Sequence, residues 1–336
     1  MKRIISALVV LSLAISIFAL SACSGKNSNA PADGQNKKLK IVTTIFPEYD
    51  WVREILGDKA DGAELTMLLD NGVDLHSYQP TVDDILKISN CDVFIYVGGE
   101  SDEWVDDALK EAVNKNMTVI NLLDVLGDSV KEEEVKEGMQ AEHEEEAHEA
   151  EGEAEEEVEF DEHVWLSLKN AQVLVKKIAE AIAGKDSANA DSYLANADSY
   201  IKKLSALDGE YAAAVNGASK KVLLFGDRFP FRYMTDDYGL DYYAAFVGCS
   251  AETEASFETI AFLAGKLDEL SLNNVMIIES SDGKIAKTII DSSKNKAAEI
   301  LTLDSLQSTT SEDVAGGTTY ISVMQKNLDV LKQALA

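Results

Sequence analysis

The chain has little histidine, cysteine, proline and tryptophan. Its 336 residues include only four histidines, three cysteines, four prolines and three tryptophans. It is also poor in positive charge, since 30 Lys and Arg face 60 Asp and Glu and the formal net charge is −30. Nucleic-acid binding is not expected, because it requires a basic surface that neutralises phosphates. An apolar fraction of 46% is enough for sizeable cores, which excludes disorder over the whole chain.

The sequence also lacks the common signatures of hydrolytic and nucleotide-binding enzymes. It contains no HExxH pair, no GxSxG turn and no Walker-type phosphate loop. We therefore predict a protein that is not an enzyme. A metal-dependent hydrolase and a metal-free surface adhesin are the alternatives from other functional classes.

The N-terminus has the pattern of an export signal. Lys2 and Arg3 precede an apolar run over Ile4–Leu20, and small residues follow it. The sequence Leu-Ser-Ala-Cys that ends at Cys23 resembles a bacterial lipoprotein box, which implies lipidation of Cys23. Plain secretion and a retained membrane anchor are the alternatives, because a run of 17 residues is at the lower limit of a membrane span. We expect an extracytoplasmic protein that is anchored to the cell membrane as a lipoprotein.

The negative charge is concentrated in one segment. From Glu132 to Glu162 there are 17 acids and one lysine, and their net charge of −16 is about half of the total. A composition of Glu, Ala, Gly and His cannot bury an apolar face, so we predict a surface loop. His143 and His148 lie in this loop and are either accessory weak metal ligands or part of a solvated charge run.

Short β-like runs alternate with helical patterns on both sides of one long helical stretch, from about Asp186 to Val215. Single helices between strands imply parallel sheets. We predict an α/β fold with two lobes of parallel-rich sheets flanked by helices, joined by one long rigid linker helix, with a ligand cleft between the lobes. The predicted segments are a signal peptide over 1–22, a lipid-anchored flexible tether over 23–38, an N-terminal lobe over 39–185 with the acidic loop at 131–160, the linker helix over 186–216 and a C-terminal lobe over 217–336.

The two remaining histidines are at predicted loop positions. His76 follows the second strand of the first lobe, and His163 directly precedes a helix. Imidazole is a common ligand of transition metals, and two imidazoles with a carboxylate suit Zn²⁺ or Mn²⁺. These patterns leave open that each is an ordinary, hydrogen-bonded loop histidine.

Four segments resemble the metal-specific solute-binding lipoproteins of ABC importers, which capture zinc or manganese outside the membrane. The segment DNGVDLHSYQPTVDD is similar to the first-ligand loop of that family, which implies His76 as a ligand. The segment DEHVWLSLKNAQ is similar to the second-ligand motif and implies His163, and the preceding acidic insertion is typical of zinc members. ILTLDSLQ resembles the segment with an aspartate ligand, here Asp304, and TTYISVMQKNLDVLKQAL resembles the terminal helix.

The resemblance implies a receptor that captures Zn²⁺ in the cleft between the lobes and delivers it to an ABC permease and its ATPase. A manganese-binding importer receptor is the alternative within the same class. We expect a monomer with limited hinge motion.

One position departs from the family pattern. Where the family supplies a third histidine, this chain has Gly226, which has no side chain. Asp227 is the first candidate for a replacement oxygen ligand. The other candidates are a water molecule, Cys249, Glu252 and Glu254.

Arg228 and the two cysteines outside the N-terminal segment raise further questions. A permanent cation beside a divalent metal is unfavourable, so we expect Arg228 to pair with Asp227 or Glu279. Cys91 and Cys249 either form a disulfide or remain two separate buried thiols, since sequence alone does not show whether they meet.

Overall fold

Two sheets of four parallel strands each form the framework of the chain. The computed structural model describes residues 38–140, 159–250 and 254–336. The strands are β1 (Leu39–Thr43), β2 (Ala63–Met67), β3 (Val93–Tyr96), β4 (Thr118–Asn121), β5 (Val222–Phe229), β6 (Asp241–Val247), β7 (Asn274–Ile278) and β8 (Glu299–Leu303). The strand order is β2-β1-β3-β4 in the first sheet and β6-β5-β7-β8 in the second, so the two sheets have the same topology.

Helices connect consecutive strands and cover the sheets, as parallel pairing requires. Among the described residues they are α1 (Phe46–Leu56), α2 (Val82–Asn90), α3 (Trp104–Lys110), α4 (Leu122–Leu126), α5 (Leu168–Lys185), α6 (Ala190–Gly217), α7 (Arg232–Tyr238), α8 (Phe257–Glu269), α9 (Lys284–Ser292), α10 (Ser311–Ala315) and α11 (Tyr320–Ala334). No helix in this part of the chain is both long enough and apolar enough to cross a membrane. The predicted signal peptide, Cys23, His143, His148 and Glu252 lie outside the described residues.

Strand β5 differs from the sequence-based prediction. The apolar pattern predicts a strand that ends at Phe225, whereas the structure continues it to Phe229. The continuation is possible because the pairing register with β6 shifts between Phe225 and Arg228, which is the mark of a bulge. Gly226 and Asp227 therefore lie within a strand, and not in a loop at the edge of the sheet.

Helix α6 is the long helix that the sequence predicts between the two sheets. It has 28 residues and is therefore ~42 Å long. The helix begins at Ala190, and a separate helix, α5, ends before it at Lys185. Its buried residues recur at intervals of three and four, as expected for one apolar face: Tyr193, Ala197, Tyr200, Leu204, Leu207, Tyr211 and Val215.

One of the two hydrophobic clusters found among the described residues extends across both sheets. A single cluster of buried residues includes Phe94 from the first sheet and Phe225 from the second. Polar contacts reinforce this packing: the Trp165 indole donates a hydrogen bond to the Ser305 carbonyl at 2.9 Å, and the Tyr320 hydroxyl donates to the Trp165 carbonyl at 2.6 Å. Two parallel sheets flanked by helices, with one long helix between them, confirm the predicted fold class.

Candidate metal centre

His76 lies in the loop that follows β2. A short 3-10 turn over Leu75–Ser77 begins at Asp74, whose carboxylate accepts a hydrogen bond from the His76 backbone N–H at 3.0 Å. The imidazole is almost fully covered, with 6% of the side chain exposed. Its Nδ1 lies 2.7 Å from the Ser101 hydroxyl and 3.5 Å from Oε2 of Glu162. The backbone and the Nδ1 side of this histidine are therefore both held by polar groups.

His163 is completely buried at the start of the turn that leads into α5. Oδ1 of Asp161 accepts hydrogen bonds from the His163 backbone N–H at 2.9 Å and from the ring Nδ1 at 3.0 Å. A carboxylate accepts the hydrogen bond from Nδ1, and Nε2 on the opposite side of the ring is directed at His76. A carboxylate behind the imidazole is the arrangement that orients histidine ligands in metal sites.

The two imidazoles meet through their Nε2 atoms, which are 3.1 Å apart. Nδ1 of His76 faces the Ser101 hydroxyl, which can donate or accept, and the Glu162 carboxylate. Burial, followed by the neighbouring His163, lowers the pKa of His76 to about 3, so this ring is neutral at physiological pH. A separation of 3.1 Å fits a hydrogen bond between the two rings, and a metal ion bound to both nitrogens would replace the shared proton.

Cys249 is the third potential ligand at this point, and it comes from the loop that follows β6. One ring nitrogen of each histidine and the Cys249 sulfur all lie within 4.8 Å of one another. Among the described residues, this is the one group of at least three His, Cys, Asp or Glu side chains that could hold a metal ion. The Cys249 backbone N–H donates to Oε1 of Glu133 at 3.1 Å, which fixes the loop.

A cleft of about 630 Å³ opens beside His76 and Cys249. Its wall is strongly acidic, and burial raises the pKa values of two of its carboxyl groups, Glu133 and Glu162. A concave acidic surface concentrates cations near the site. The acidic residues that line it are Glu100, Glu103, Glu133, Glu159 and Glu162.

Asp304 and Asp227 do not join this cluster in the structure. Oδ1 of Asp304 accepts a hydrogen bond from the Leu306 N–H at 2.8 Å, and burial together with Glu279 raises its pKa to about 6. Asp227 accepts from the N–H groups of Arg228 at 2.9 Å and Ile278 at 3.3 Å. Both carboxylates are thus engaged by the backbone of the second half, and their roles as ligands remain predictions.

Gly226 faces helix α9. A Cβ added there would lie 2.5 Å from the Cα of Ala286 in helix α9, which is closer than atoms can pack. Glycine therefore allows α9 to approach β5, and this backbone position has no room for the third histidine of the family pattern.

The predicted partners of Arg228 were wrong. Its guanidinium pairs with the carboxylate of Asp74, which belongs to the turn that carries His76. Asp227 instead accepts the Arg228 backbone N–H, and Glu279 accepts hydrogen bonds from the loop after β8, such as that of the Ser305 N–H at 2.7 Å. The cation is neutralised by a residue 154 positions away, which no local pattern reveals.

The two cysteines do not form a disulfide, which excludes one of the two sequence-based alternatives. Cys91 is buried with its sulfur 3.2 Å from the Met117 sulfur, whereas Cys249 lies at the histidine pair. Sequence reasoning also missed the supporting role of Asp74 and Asp161. A signal was present, because each histidine has an aspartate two residues before it that accepts its backbone N–H.

Potential metal ligands from two α/β halves meet at this site, which indicates a metal-binding protein. Within this class of proteins, the chain belongs to the ZnuA family, described as the periplasmic component A of a zinc-uptake complex, whose model matches residues 41–334.

Named relatives agree with this assignment. High-affinity zinc uptake system protein ZnuA of Bacillus subtilis is 31% identical over 323 residues, which cover 96% of each chain. Zinc-binding lipoprotein AdcA of Streptococcus pneumoniae is 32% identical over 314 residues, which cover 94% of this chain and 58% of AdcA. Zinc-binding protein AdcA of Streptococcus pyogenes is 31% identical over 302 residues, and this chain spans 56% of its length.

The fold comparison gives the same result. The crystal structure of the Zn(II)-bound ZnuA-like domain of Streptococcus pneumoniae AdcA matches with a TM-score of 0.67 and 29% identity, covering 89% of this chain and 99% of that domain. The metal-dependent lipoprotein YcdH of Bacillus subtilis matches with a TM-score of 0.69 and 29% identity, with the same coverage.

Proposed function

We propose that this chain captures Zn²⁺ in the cleft between its two sheets and delivers it to the permease and ATPase of an ABC importer. The carrying observation is the pair of Nε2 atoms 3.1 Å apart, with the Nδ1 sides of both rings held by polar side chains. Two imidazole nitrogens that face each other inside a buried, acidic site suit a divalent cation. The names of the relatives support zinc as that cation.

Binding and release, without a chemical step, are the role proposed for the site. Mn²⁺ remains the alternative cargo, and its preference for oxygen-rich coordination makes it the weaker fit to two imidazoles. Asp304 is the predicted carboxylate ligand from the second half, and it would have to release the Leu306 N–H to reach the ion. We further propose that the chain acts as a monomer, held at the membrane through a lipid on Cys23.

Calorimetric titration of the chelator-stripped protein with Zn²⁺ and Mn²⁺ tests the proposal. We expect about one tight zinc site in the parent and at least a ~tenfold weaker site, ~1.4 kcal/mol, in His76→Ala and in His163→Ala. The matched control is the double variant His143→Ala, His148→Ala, which should keep the tight site. Unchanged zinc affinity in both single variants would remove these histidines from the site and overturn the proposal.

A further inference from the structure

We propose that the Cys249 thiolate is a ligand of the captured metal, so that the cargo is held by two imidazole nitrogens and one sulfur. This inference rests on the proposed function and specifies its chemistry. It assigns the coordination position of the absent third histidine to a residue from the loop that follows β6 in the same half.

The placement of Cys249 is the first argument. Its sulfur and a ring nitrogen of each histidine lie within 4.8 Å of one another, although the three residues come from separate loops. Tetrahedral zinc with Zn–N of ~2.05 Å and Zn–S of ~2.3 Å places its ligand atoms ~3.3 to ~3.6 Å apart. To surround one ion, the two Nε2 atoms, which are 3.1 Å apart, would separate slightly, and the sulfur would approach the nitrogens by at most ~1.2 Å.

The backbone around Cys249 is built to approach the histidine pair closely. Gly248 lies against His163, where an added Cβ would be 3.0 Å from the ring Cε1 and 3.0 Å from the Phe229 carbonyl oxygen. A larger residue at 248 would push the loop away from the ring. On the other side, the Cys249 N–H is anchored to Glu133 at 3.1 Å. Backbone contacts on both sides of Cys249 therefore hold its thiol at the site.

Among the described candidates of the second half, Glu254 is exposed and the others are engaged elsewhere. A side chain added at Gly226 would point at helix α9. The carboxylates of Asp227 and Asp304 accept backbone hydrogen bonds. Cys91 provides an internal contrast, since its thiol contacts Met117 and is absent from the metal-ligand group found among the described residues. Cys91 is a buried core residue, whereas Cys249 lies beside the two imidazoles.

Binding of the metal by the thiolate releases one proton and affects the selectivity between metals. The S–H bond breaks, a sulfur–metal bond forms, and the proton passes to solvent, so the ion and its three ligands carry a net charge of +1. The carboxylates of Asp161, Glu133 and Glu162 surround this charge. Thiolate is a soft donor that suits Zn²⁺ and disfavours Mn²⁺, so this ligand set favours zinc capture. The fourth position is left for water or for Asp304.

Cobalt substitution tests the inference directly. Co²⁺ bound to the chelator-stripped protein reports sulfur ligation through a thiolate-to-cobalt charge-transfer absorption, and its d–d bands report site occupancy. We expect the charge-transfer absorption in the parent and in the control Cys91→Ser, and its loss in Cys249→Ser. The d–d bands should persist in Cys249→Ser, which also shows that this variant is folded.

Metal titrations give the second readout. We expect Cys249→Ser to bind Zn²⁺ at least ~tenfold more weakly than the parent, with a smaller change for Mn²⁺. Occupied cobalt without charge transfer in the parent, or charge transfer that survives in Cys249→Ser, overturns the inference and leaves the histidine-based function standing. A parent that binds neither cobalt nor zinc overturns both.

Discussion

The two halves of the molecule have the same sheet topology, and each brings a potential metal ligand to the cleft from the same topological position. His76 follows β2, an edge strand of the first sheet, and Cys249 follows β6, the corresponding edge strand of the second. Because the carboxyl ends of parallel strands lie at one edge of a sheet, both loops open toward the cleft. The repeated fold therefore specifies where a ligand comes from, and the local sequence specifies which atom it offers.

The halves differ in how they use their buried carboxylates. In the first half, Asp161 and Glu162 lie behind the imidazoles and orient them toward each other. In the second half, Glu279 accepts hydrogen bonds from Ser305 and Ser308 and so shapes the loop after β8. Asp161 and Glu162 thus orient the histidines of the site, whereas Glu279 stabilises the backbone of a loop.

The largest expected effect comes from placing a histidine at position 226, where the family pattern has one. In Gly226→His the new side chain would collide with the backbone of Ala286, so we expect a loss of ~3 kcal/mol or more in the free energy of unfolding and no gain in zinc affinity. Chemical denaturation and zinc titration measure the two quantities. Gly265→His is the matched control, because nothing lies within 4 Å of a Cβ at that helical position. A stable Gly226→His with tighter zinc binding would contradict the asymmetry described above.

A smaller effect is expected from removing the group that orients the first half's buried imidazole. Asp161→Ala leaves Nδ1 of His163 without its acceptor, and we expect zinc affinity to fall ~10–100-fold. Asp161→Asn keeps an oxygen at the same place and should lose less. Calorimetric titration compares the two variants with the parent. Equal affinity in Asp161→Ala and the parent would show that His163 is oriented by packing alone.

The smallest effect concerns a buried carboxyl of the first half that lies outside the metal cluster. Burial, followed by the charge of Asp102, raises the pKa of Glu48 to about 8, from an ordinary value of 4.5. Between these values the folded state binds more protons than the unfolded state, so this group makes stability fall as pH rises, by up to ~1.4 kcal/mol per pH unit. Above about pH 8 both states are ionised and the fall ends.

Glu48→Gln removes this titration and should flatten the decline in stability between pH 6 and pH 7. Denaturant unfolding of the variant and the parent at both pH values measures the difference. Glu54→Gln, at a partly exposed position of the same helix, is a suitable control. Identical pH dependence in the parent and Glu48→Gln would show that Glu48 is ionised in the folded protein across this range.

Much of the fold could be predicted from sequence because its signals are local. Alternating strand and helix patterns predict two parallel sheets, and the spacing from Tyr193 to Leu207 predicts the buried face of α6. His76 and His163 could be singled out as well, because histidines are few here and both lie in loops at the ends of elements. The extension of β5 to Phe229 could not, because the bulge that permits it depends on pairing with β6.

By itself the sequence determined the strand and helix periodicity, the scarcity of histidine, and the position of two of those histidines beside aspartates. Only the tertiary structure decided that the two rings face each other at 3.1 Å, that Cys249 joins them, and that Arg228 pairs with Asp74. The physical reason is range. Periodicity and capping depend on neighbours along the chain, whereas a metal site and a buried ion pair depend on which loops two packed sheets bring together.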